Sequence, residues 1–273
     1  MKYLYGKNVL ITGAGSGIGR VMALDFARNK ANLALVDINP EALEAVEKEV
    51  KAFGVKTGTY VCDISKRSAV AKTVKAIRKD FNQIDILVNN AGIVIGKSFV
   101  DLSLDEMHRT MDINFWGHVY FTKEFLPDMI QRNDGHLVNI ASSGGLLGMT
   151  QMSDYGASKF AEVGFSESLR RELYQAGAKN VKVTVVCPYT INTGMFEGFK
   201  PLWFNPILKA EYVGQKVVEA VKKDKPYLYL PYLGVKGMLV LKLLPTALLD
   251  WSLRLVGGSR AMNGFVGRGK QDS

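Results

Sequence analysis

The sequence predicts an α/β protein in which helices cover both faces of a doubly wound parallel sheet. Six short apolar runs rich in β-branched residues alternate with six segments of helical periodicity, and no segment repeats another. This alternation is typical of crossover units that place strands in parallel. Small or polar residues follow most of the apolar runs, and ligands bind at the carboxyl ends of such strands. We therefore treat residues 1–273 as a single domain with one crevice.

The first predicted strand, 7–12, leads into a turn with glycines at Gly13, Gly17 and Gly19, and an apolar helical face follows over 21–26. Glycine lets a backbone approach a pyrophosphate closely, and a helix N-terminus supplies free N–H groups and a positive dipole end. The spacing differs from the Gly-x-Gly-x-x-Gly of most dinucleotide folds. On this motif alone, a purely structural turn is the alternative.

The second predicted strand, 32–36, ends at Asp37. A carboxylate at this point can accept hydrogen bonds from an adenosine ribose and would repel the 2′-phosphate of NADP. Neither Ser16 nor Ile38 offers a cation to that phosphate. The sequence therefore favours NAD, while Asp37 can also serve as a cap for the helix that follows.

The remaining elements follow from apolar runs for strands and helical spacing for helices. The strands are expected over 55–61, 84–88, 135–140 and 181–186, and the helices over 40–53, 66–80, 103–132, 155–176 and 209–223. Asp63, after the third strand, either contacts an adenine or caps the next helix. Asn114 lies inside the long helix over 103–132, where an amide is usually satisfied by the core.

Tyr155 and Lys159 are spaced i and i+4 at the start of a predicted helix, so both side chains lie on one face. A phenol titrates near pH ~10 when unperturbed, and a nearby cation favours the phenolate. The pair therefore predicts an acid/base group that works near neutral pH. Because the pattern is short, an exposed tyrosine beside a solvated lysine is the alternative.

Composition narrows the class of protein. A hydrophobic fraction of 47% with 22% charged residues is ordinary for a globular protein. Cys62 and Cys187 both fall in apolar runs, which predicts buried thiols in a reducing, cytoplasmic compartment and neither a disulfide framework nor a metal site.

Residues 1–5 are too short for a signal peptide. The net charge of +9 permits attraction to anionic partners, but no nucleic-acid-binding motif accompanies it.

Several motifs occur together in a characteristic order, namely Thr12-Gly13-x-x-x-Gly17-x-Gly19, Asn89-Asn90-Ala91-Gly92, Asn114, Ser142 and Tyr155-x-x-x-Lys159. With them the chain resembles the short-chain dehydrogenase/reductases, in their compact branch, over residues 7–230. The resemblance implies a Rossmann-type fold with a seven-stranded parallel sheet whose last strand covers 227–230. It also implies a homodimer or homotetramer.

The resemblance assigns catalytic roles. Tyr155 would be the general acid/base, and Lys159 would lower its pKa and hold the nicotinamide ribose. Ser142, thirteen residues before the tyrosine, would bind the substrate oxygen in preference to Ser143, and Asn114 would hold a water in a proton relay. Cofactor contacts are expected from Gly13, Ser16, Gly17, Ile18, Gly19, Asp37, Asp63, Ile64, Asn89, Ala91, Gly92, Tyr155, Lys159, Pro188, Ile191 and Thr193.

One departure follows the sixth strand, where the family usually has Pro-Gly-x-x-x-Thr. This chain has Tyr189 in place of the glycine. The Ile191 main chain and Thr193 remain able to fix the nicotinamide carboxamide. Tyr189 narrows the backbone options and stands where it can intrude on the substrate site.

Residues 194–225 are expected to form a substrate-binding lid. Its aromatic residues predict a cover over an apolar pocket, with ordinary core packing as the alternative; they are Phe196, Phe199, Trp203 and Phe204. Within the family, Cys187-Pro188, the sequence Asn192-Thr193-Gly194 and the apolar tail are most like the hydroxysteroid and retinol dehydrogenases.

The C-terminal extension, 232–273, is apolar and basic. Charges and Pro245 interrupt it, so no stretch reaches the ~20 apolar residues of a spanning helix. From residue 201 onward, eleven Lys or Arg residues stand against five Asp or Glu residues, which accounts for six of the nine net charges. Peripheral membrane contact is favoured by this charge, and a pocket cover or a subunit contact are the alternatives.

The sequence thus predicts NAD-dependent interconversion of a hydrophobic secondary alcohol, such as a steroid, retinoid or other lipid-like compound, with its carbonyl. Tyr155 would exchange the proton while the nicotinamide exchanges the hydride. The rival hypotheses are an NADPH-dependent carbonyl reductase of the same fold and a non-catalytic nucleotide-sensing module.

Overall fold

Seven parallel strands form one sheet in a computed structural model that describes residues 3–201 and 205–267. The strands are β1 (Asn8–Thr12), β2 (Asn32–Asp37), β3 (Thr57–Val61), β4 (Ile86–Asn89), β5 (Gly135–Ile140), β6 (Val181–Pro188) and β7 (Tyr227–Leu230). Their order in the sheet is β3-β2-β1-β4-β5-β6-β7, which confirms the predicted fold class. The strand order reverses between β1 and β4, and a crevice opens at such a point in a doubly wound sheet.

Helices pack on both faces of the sheet. They are α1 (Gly17–Arg28), α2 (Pro40–Lys51), α3 (Arg67–Asp80), α4 (Leu104–Met111), α5 (Gly117–Arg132), α6 (Ser153–Gln175), α7 (Ala210–Lys222), α8 (Tyr232–Leu241) and α9 (Thr246–Leu255). Successive strand residues point to opposite faces, so Val9 and Ile11 pack with α1, α2 and α7, whereas Leu10 packs with α3, α5 and α6. Both faces of the sheet are therefore buried.

The single helix predicted over 103–132 is interrupted, which corrects that expectation. A π-helical turn, Asp112–Trp116, lies between α4 and α5 and carries Asn114. Turns of this kind insert a residue into a helix and are frequent at functional sites. Ser103 and Glu106 form a capping box at the start of α4, so the N-terminal boundary is where capping predicts it.

A third apolar cluster lies beside the carboxyl ends of β5 and β6 and includes Tyr155, Phe199 and Met262. Helix α9 contains no buried residue and packs on this cluster only through half-buried side chains such as Leu249 and Leu253. Within residues 3–201 and 205–267, no helix is both long and apolar enough to cross a membrane.

Candidate active site

The loops after β1 and β4 are bound to each other at the point where the strand order reverses. The N–H groups of Asn90 and Ala91 donate to Thr12 Oγ1 at 2.9 and 3.2 Å, and Asn90 Nδ2 donates to the carbonyl oxygens of Thr12 and Gly13 at 2.8 and 3.1 Å. A Cβ at Gly19 would lie 1.9 Å from the Gly13 oxygen. The glycine turn is therefore closed so tightly that no larger residue fits at position 19.

Asp37 holds the glycine turn from the side of β2. Its carboxylate accepts hydrogen bonds from the N–H of Gly15 at 2.8 Å and of Asn39 at 3.1 Å. The cap of α2 is Asn39, whose side chain accepts from the N–H of Ala42 at 2.8 Å. Because another residue caps the helix, the half-buried Asp37 carboxylate stays at the strand end, where it lines a cavity.

Asp63 was expected to contact an adenine or to cap α3, and the N-cap residue of α3 is Lys66 instead. One carboxylate oxygen accepts from the N–H and the hydroxyl of Ser65 at 3.0 and 2.6 Å, which closes the turn before α3. Asp63 and its buried neighbour Ile64 also line the cavity. The turn contact and the cavity position are thus compatible.

Asn89 does not line the cavity, although the resemblance implies a cofactor contact from it. It is fully buried, and its amide donates to Thr122 Oγ1 at 3.0 Å and to Asn139 Oδ1 at 2.9 Å. Its neighbour Asn90 lines the cavity instead. Side chains alternate along a strand, so only one of two consecutive asparagines can face the crevice.

Ser142 and Tyr155 lie in contact at the carboxyl end of β5. A side-chain hydrogen bond joins them, and Ser142 Oγ also accepts from the N–H of Gly144 at 3.1 Å. Ser142 and Tyr155 both line the cavity, whereas Ser143 does not. The structure therefore brings the predicted serine, and not its neighbour, to the tyrosine.

Burial is the largest influence on the pKa values of Tyr155 and Lys159. It raises the pKa of Tyr155 to about 12, against the hydrogen bond from Ser142. It lowers the pKa of Lys159 to about 8, against the negative charge of Glu162. The direction at Tyr155 is opposite to that expected from its spacing with Lys159, because removing water from the phenol disfavours the phenolate.

Lys159 lies on the same helical face as Tyr155, as predicted. Its ammonium nitrogen is 5.8 Å from the centre of the Tyr155 ring and donates to the carbonyl oxygen of Ile140 at 2.8 Å. Lys159 as a whole is almost fully buried. It is therefore held beside the cavity by a main-chain contact at the end of β5.

Asn114 is fully buried and does not line the cavity. Its amide accepts from the N–H of Ile93 at 2.8 Å and donates to the Ile93 oxygen at 2.9 Å and to Ser158 Oγ at 3.1 Å. A Cβ at Gly92 would lie 3.3 Å from Asn114 Oδ1 and 3.8 Å from Lys159 Nζ. Asn114 Oδ1 and Lys159 Nζ thus both lie close to the position that a Gly92 Cβ would take, and the proton relay through Asn114 stays a prediction.

These residues surround a cavity of about 260 Å³ at the carboxyl ends of the strands. Apart from Asn89 and Asn114, every predicted catalytic or cofactor residue lines this cavity. Lining residues that the sequence did not indicate are Ile38, Cys62, Asn90, Ile93, Arg109, Ile113, Ile140, Ala141 and Met195. Most are neighbours of a predicted residue at a strand end, which is the signal that could have found them.

Three aromatic rings, Phe196, Phe199 and Phe265, form what we call the aromatic cover. Phe196 meets the Tyr155 ring edge to face at 5.7 Å between centroids. Phe199 and Phe265 lie 6.1 and 6.3 Å from Phe196. The cover places apolar surface directly over the tyrosine.

Tyr189 belongs to the same apolar region. Its ring is 6.0 Å from Phe199, it is buried, and its N–H donates to the Leu230 oxygen at 2.7 Å. Its φ is not positive, so the backbone at this position does not require the glycine usual in the family. Trp203 and Phe204, expected in the lid, lie outside the described residues.

The expected lid region, 194–225, divides into two parts. Met195 and Phe196 line the cavity. Helix α7, in contrast, buries Val213 and Val217 in the cluster on the α1 face of the sheet. Only the beginning of the region therefore faces the site.

Comparison with known proteins identifies the family. Residues 7–201 match the short chain dehydrogenase family. Epidermal retinol dehydrogenase 2 of Homo sapiens is 43% identical over 274 residues, which cover 99% of this chain and 88% of that protein. Retinol dehydrogenase 10-B of Danio rerio is 36% identical over 296 residues, which cover 100% and 88%. These relatives confirm the resemblance to retinol-type dehydrogenases.

Solved structures of the family have the same fold. A short chain dehydrogenase/reductase from Burkholderia phymatum in complex with NAD superposes with a TM-score of 0.81 at 26% identity, over 93% of this chain and 97% of that chain. A metagenomic short-chain oxidoreductase in complex with NADP gives 0.69 at 26% identity, over 83% and 95%. The chain therefore belongs to the short-chain dehydrogenase family of oxidoreductases.

Proposed function

We propose that the protein is an NAD-dependent dehydrogenase that interconverts a hydrophobic alcohol and its carbonyl. The observation that supports it most is the meeting of Ser142, Tyr155 and Lys159 in one cavity with the glycine turn and Asp37. A cofactor fits there by its chemistry, since the turn has no room for a side chain at Gly19 and opens onto the N-terminus of α1.

Each side chain has one task in this mechanism. Bound NAD would supply the hydride acceptor. Ser142 Oγ hydrogen-bonds the alcohol oxygen, and Tyr155 Oη takes the hydroxyl proton. The Lys159 ammonium stabilises the phenolate charge during this transfer. In the reverse direction, Tyr155 Oη returns the proton to the carbonyl oxygen.

The choice of NAD over NADP rests on charge. The Asp37 carboxylate repels a 2′-phosphate, and the cations among the described lining residues are Arg109 and Lys159, of which Lys159 is engaged at Ile140. Titration of the enzyme with NADH and NADPH, followed by nucleotide fluorescence, tests this choice. We expect NADH to bind at least tenfold more tightly; tighter NADPH binding would support the rival carbonyl reductase.

The substrate class rests on the aromatic cover and on the names of the relatives. Retinol is a primary alcohol, so we widen the expected secondary alcohol to a hydrophobic alcohol of retinol-like shape. A panel of alcohols graded in chain length and ring number, assayed by NADH absorbance, tests this. We expect long isoprenoid alcohols to exceed short ones by about a hundredfold in kcat/KM, because each buried methylene adds about 0.8 kcal/mol. Equal rates for two-carbon alcohols would contradict it.

The apolar exposed side chains of α8, α9 and their connection favour peripheral contact with an anionic membrane. Leu233 and Leu243 are 82% and 84% exposed, and Trp251 and Leu255 are exposed as well. The ammonium of Lys242 lies 4.5 Å from the centre of the Phe160 ring, which places a cation beside this surface. A cytoplasmic protein that docks on a membrane fits these features, and the homodimer or homotetramer stays a prediction.

A further inference from the structure

His118 and Glu162 form a fully buried pair behind the cavity. His118 Nδ1 lies 3.0 Å from Glu162 Oε2, and His118 Nε2 lies 2.9 Å from the carbonyl oxygen of Ala91. The side chains of both residues have no exposed surface, and neither residue lines the cavity. The pair therefore connects α5, α6 and the loop after β4 without touching the substrate space.

The hydrogen-bond chemistry fixes where protons lie in this pair. A carbonyl oxygen only accepts, so His118 Nε2 must carry a hydrogen that it donates to Ala91. One further proton is then shared between His118 Nδ1 and Glu162 Oε2. The other oxygen, Glu162 Oε1, has no hydrogen-bond partner among the described residues. A buried carboxylate with an unpaired oxygen is costly, which argues against simple core filling.

The pair acts on the site through Ala91. Ala91 lines the cavity between Asn90 and Gly92, and its N–H donates to Thr12 Oγ1. The Ala91 main chain is thus held at its N–H by Thr12 and at its carbonyl oxygen by His118. This double anchoring fixes the wall against which the cofactor would lie.

Glu162 lies three residues after Lys159 on α6, and its negative charge raises the pKa of the lysine against the effect of burial. The other ionisable groups that face Lys159 are Tyr155 on the same helix and Cys187 on β6. His118 faces Glu162 from α5. Because one proton is shared between His118 and Glu162, the pair as a whole is neutral, and its geometry supports holding the Ala91 main chain rather than charging the lysine.

We propose that His118 and Glu162 are positioning residues: His118 holds the Ala91 wall for the cofactor, and Glu162 holds the His118 ring in place. This inference rests on the nucleotide binding of the proposed function and not on its chemical step. Both roles predict an effect on nucleotide binding.

Nucleotide binding tests the first role. In His118→Phe the Ala91 oxygen loses its donor, so we expect the Kd for NADH to rise about tenfold. His118→Gln retains an N–H donor, and we expect it to stay within about threefold of the wild type. His108→Phe, at an exposed histidine on α4, is the matched control. An unchanged Kd in folded His118→Phe would overturn this role.

The same titration tests the second role. Glu162→Leu removes the partner of His118 Nδ1, so we expect the Kd for NADH to rise about tenfold. Glu162→Gln keeps a polar partner and should stay within about threefold of the wild type, and Glu172→Gln, exposed on the same helix, is the matched control. An unchanged Kd in folded Glu162→Leu would overturn this role. If the wild type oxidised no alcohol with either nucleotide, the proposed chemistry would fail, and the NADH titration would still decide both roles.

Discussion

The cavity has two walls that are built in different ways. The strand-end wall, Gly13–Gly19 with 90–92, is held by short hydrogen bonds and by contacts that admit no Cβ. The aromatic cover is held by ring packing and by main-chain bonds such as Lys200 N–H to the Ala261 oxygen at 2.9 Å. In the proposed function, the cofactor would therefore lie against the hydrogen-bonded frame of the sheet, and the substrate would lie against a surface that comes from a separate part of the chain.

Tyr155→Phe gives the largest expected effect, because it removes the proton-transfer group and leaves the ring in place under Phe196. We expect kcat/KM to fall about a thousandfold and the Kd for NADH to stay within about twofold. Tyr174→Phe, at an exposed tyrosine on the same helix, is the control. Turnover by Tyr155→Phe within about tenfold of the wild type would show that another group moves the proton.

Gly19→Ala tests the rigidity of the strand-end wall. The added Cβ would lie 1.9 Å from the Gly13 oxygen, so the turn must open, at a cost of roughly 1–3 kcal/mol. We expect NADH binding to weaken by about 10- to 100-fold. The same change at Gly164 meets no atom within 4 Å and should leave binding unaltered. Equal Kd values for Gly19→Ala and Gly164→Ala would show that the turn has room for a side chain at position 19.

Asp37→Asn tests whether the carboxylate at the end of β2, beside the strand-end wall, selects NADH over NADPH. The amide retains an oxygen acceptor for the N–H of Gly15 but loses the charge that repels a 2′-phosphate. We expect the preference for NADH over NADPH to fall about tenfold, which corresponds to about 1.4 kcal/mol. Competitive titration of both nucleotides measures the ratio. A preference that does not move would assign selectivity to residues other than Asp37.

Leu243→Glu tests the proposed membrane contact of the exposed apolar side chains of α8, α9 and their connection. It has the smallest expected effect. It places an acid among the apolar side chains of the surface, so binding to vesicles with anionic lipid should fall about fivefold. The strand-end wall is untouched, so turnover of a water-soluble alcohol should not change. Leu104→Glu, exposed on α4, is the control. Equal vesicle binding by all three proteins would remove the membrane proposal.

The strand-end wall, together with Asp37 and the Tyr155–Lys159 pair, could be predicted largely from sequence, because these features are local. Glycines between a strand and a helix, a carboxylate at a strand end and the Tyr155–Lys159 spacing each depend on neighbouring residues only. Parallel strands then bring these ends to one edge of the sheet, without knowledge of any side-chain contact. The last strand, Tyr227–Leu230, was also predicted with the bounds observed.

The remaining features depend on contacts between distant segments. The alternation of side chains along β4 decides whether Asn89 or Asn90 faces the cavity. A one-residue error in the predicted register would assign that position to the wrong asparagine. The sign of the Tyr155 pKa shift depends on burial beneath Phe196 and its neighbours, which no short motif encodes. His118 and Glu162 are 44 positions apart, so their pairing appears only when α5 and α6 pack together.

The most direct test of the proposed chemistry follows the hydrogen atom itself. The enzyme is incubated with NAD and an isoprenoid alcohol that carries deuterium at the carbinol carbon, and the mass of the NADH formed is measured. We expect NADH that carries the deuterium with the wild type and none above background with Tyr155→Phe. Oxidised alcohol without deuterium in the NADH would contradict hydride transfer in this cavity.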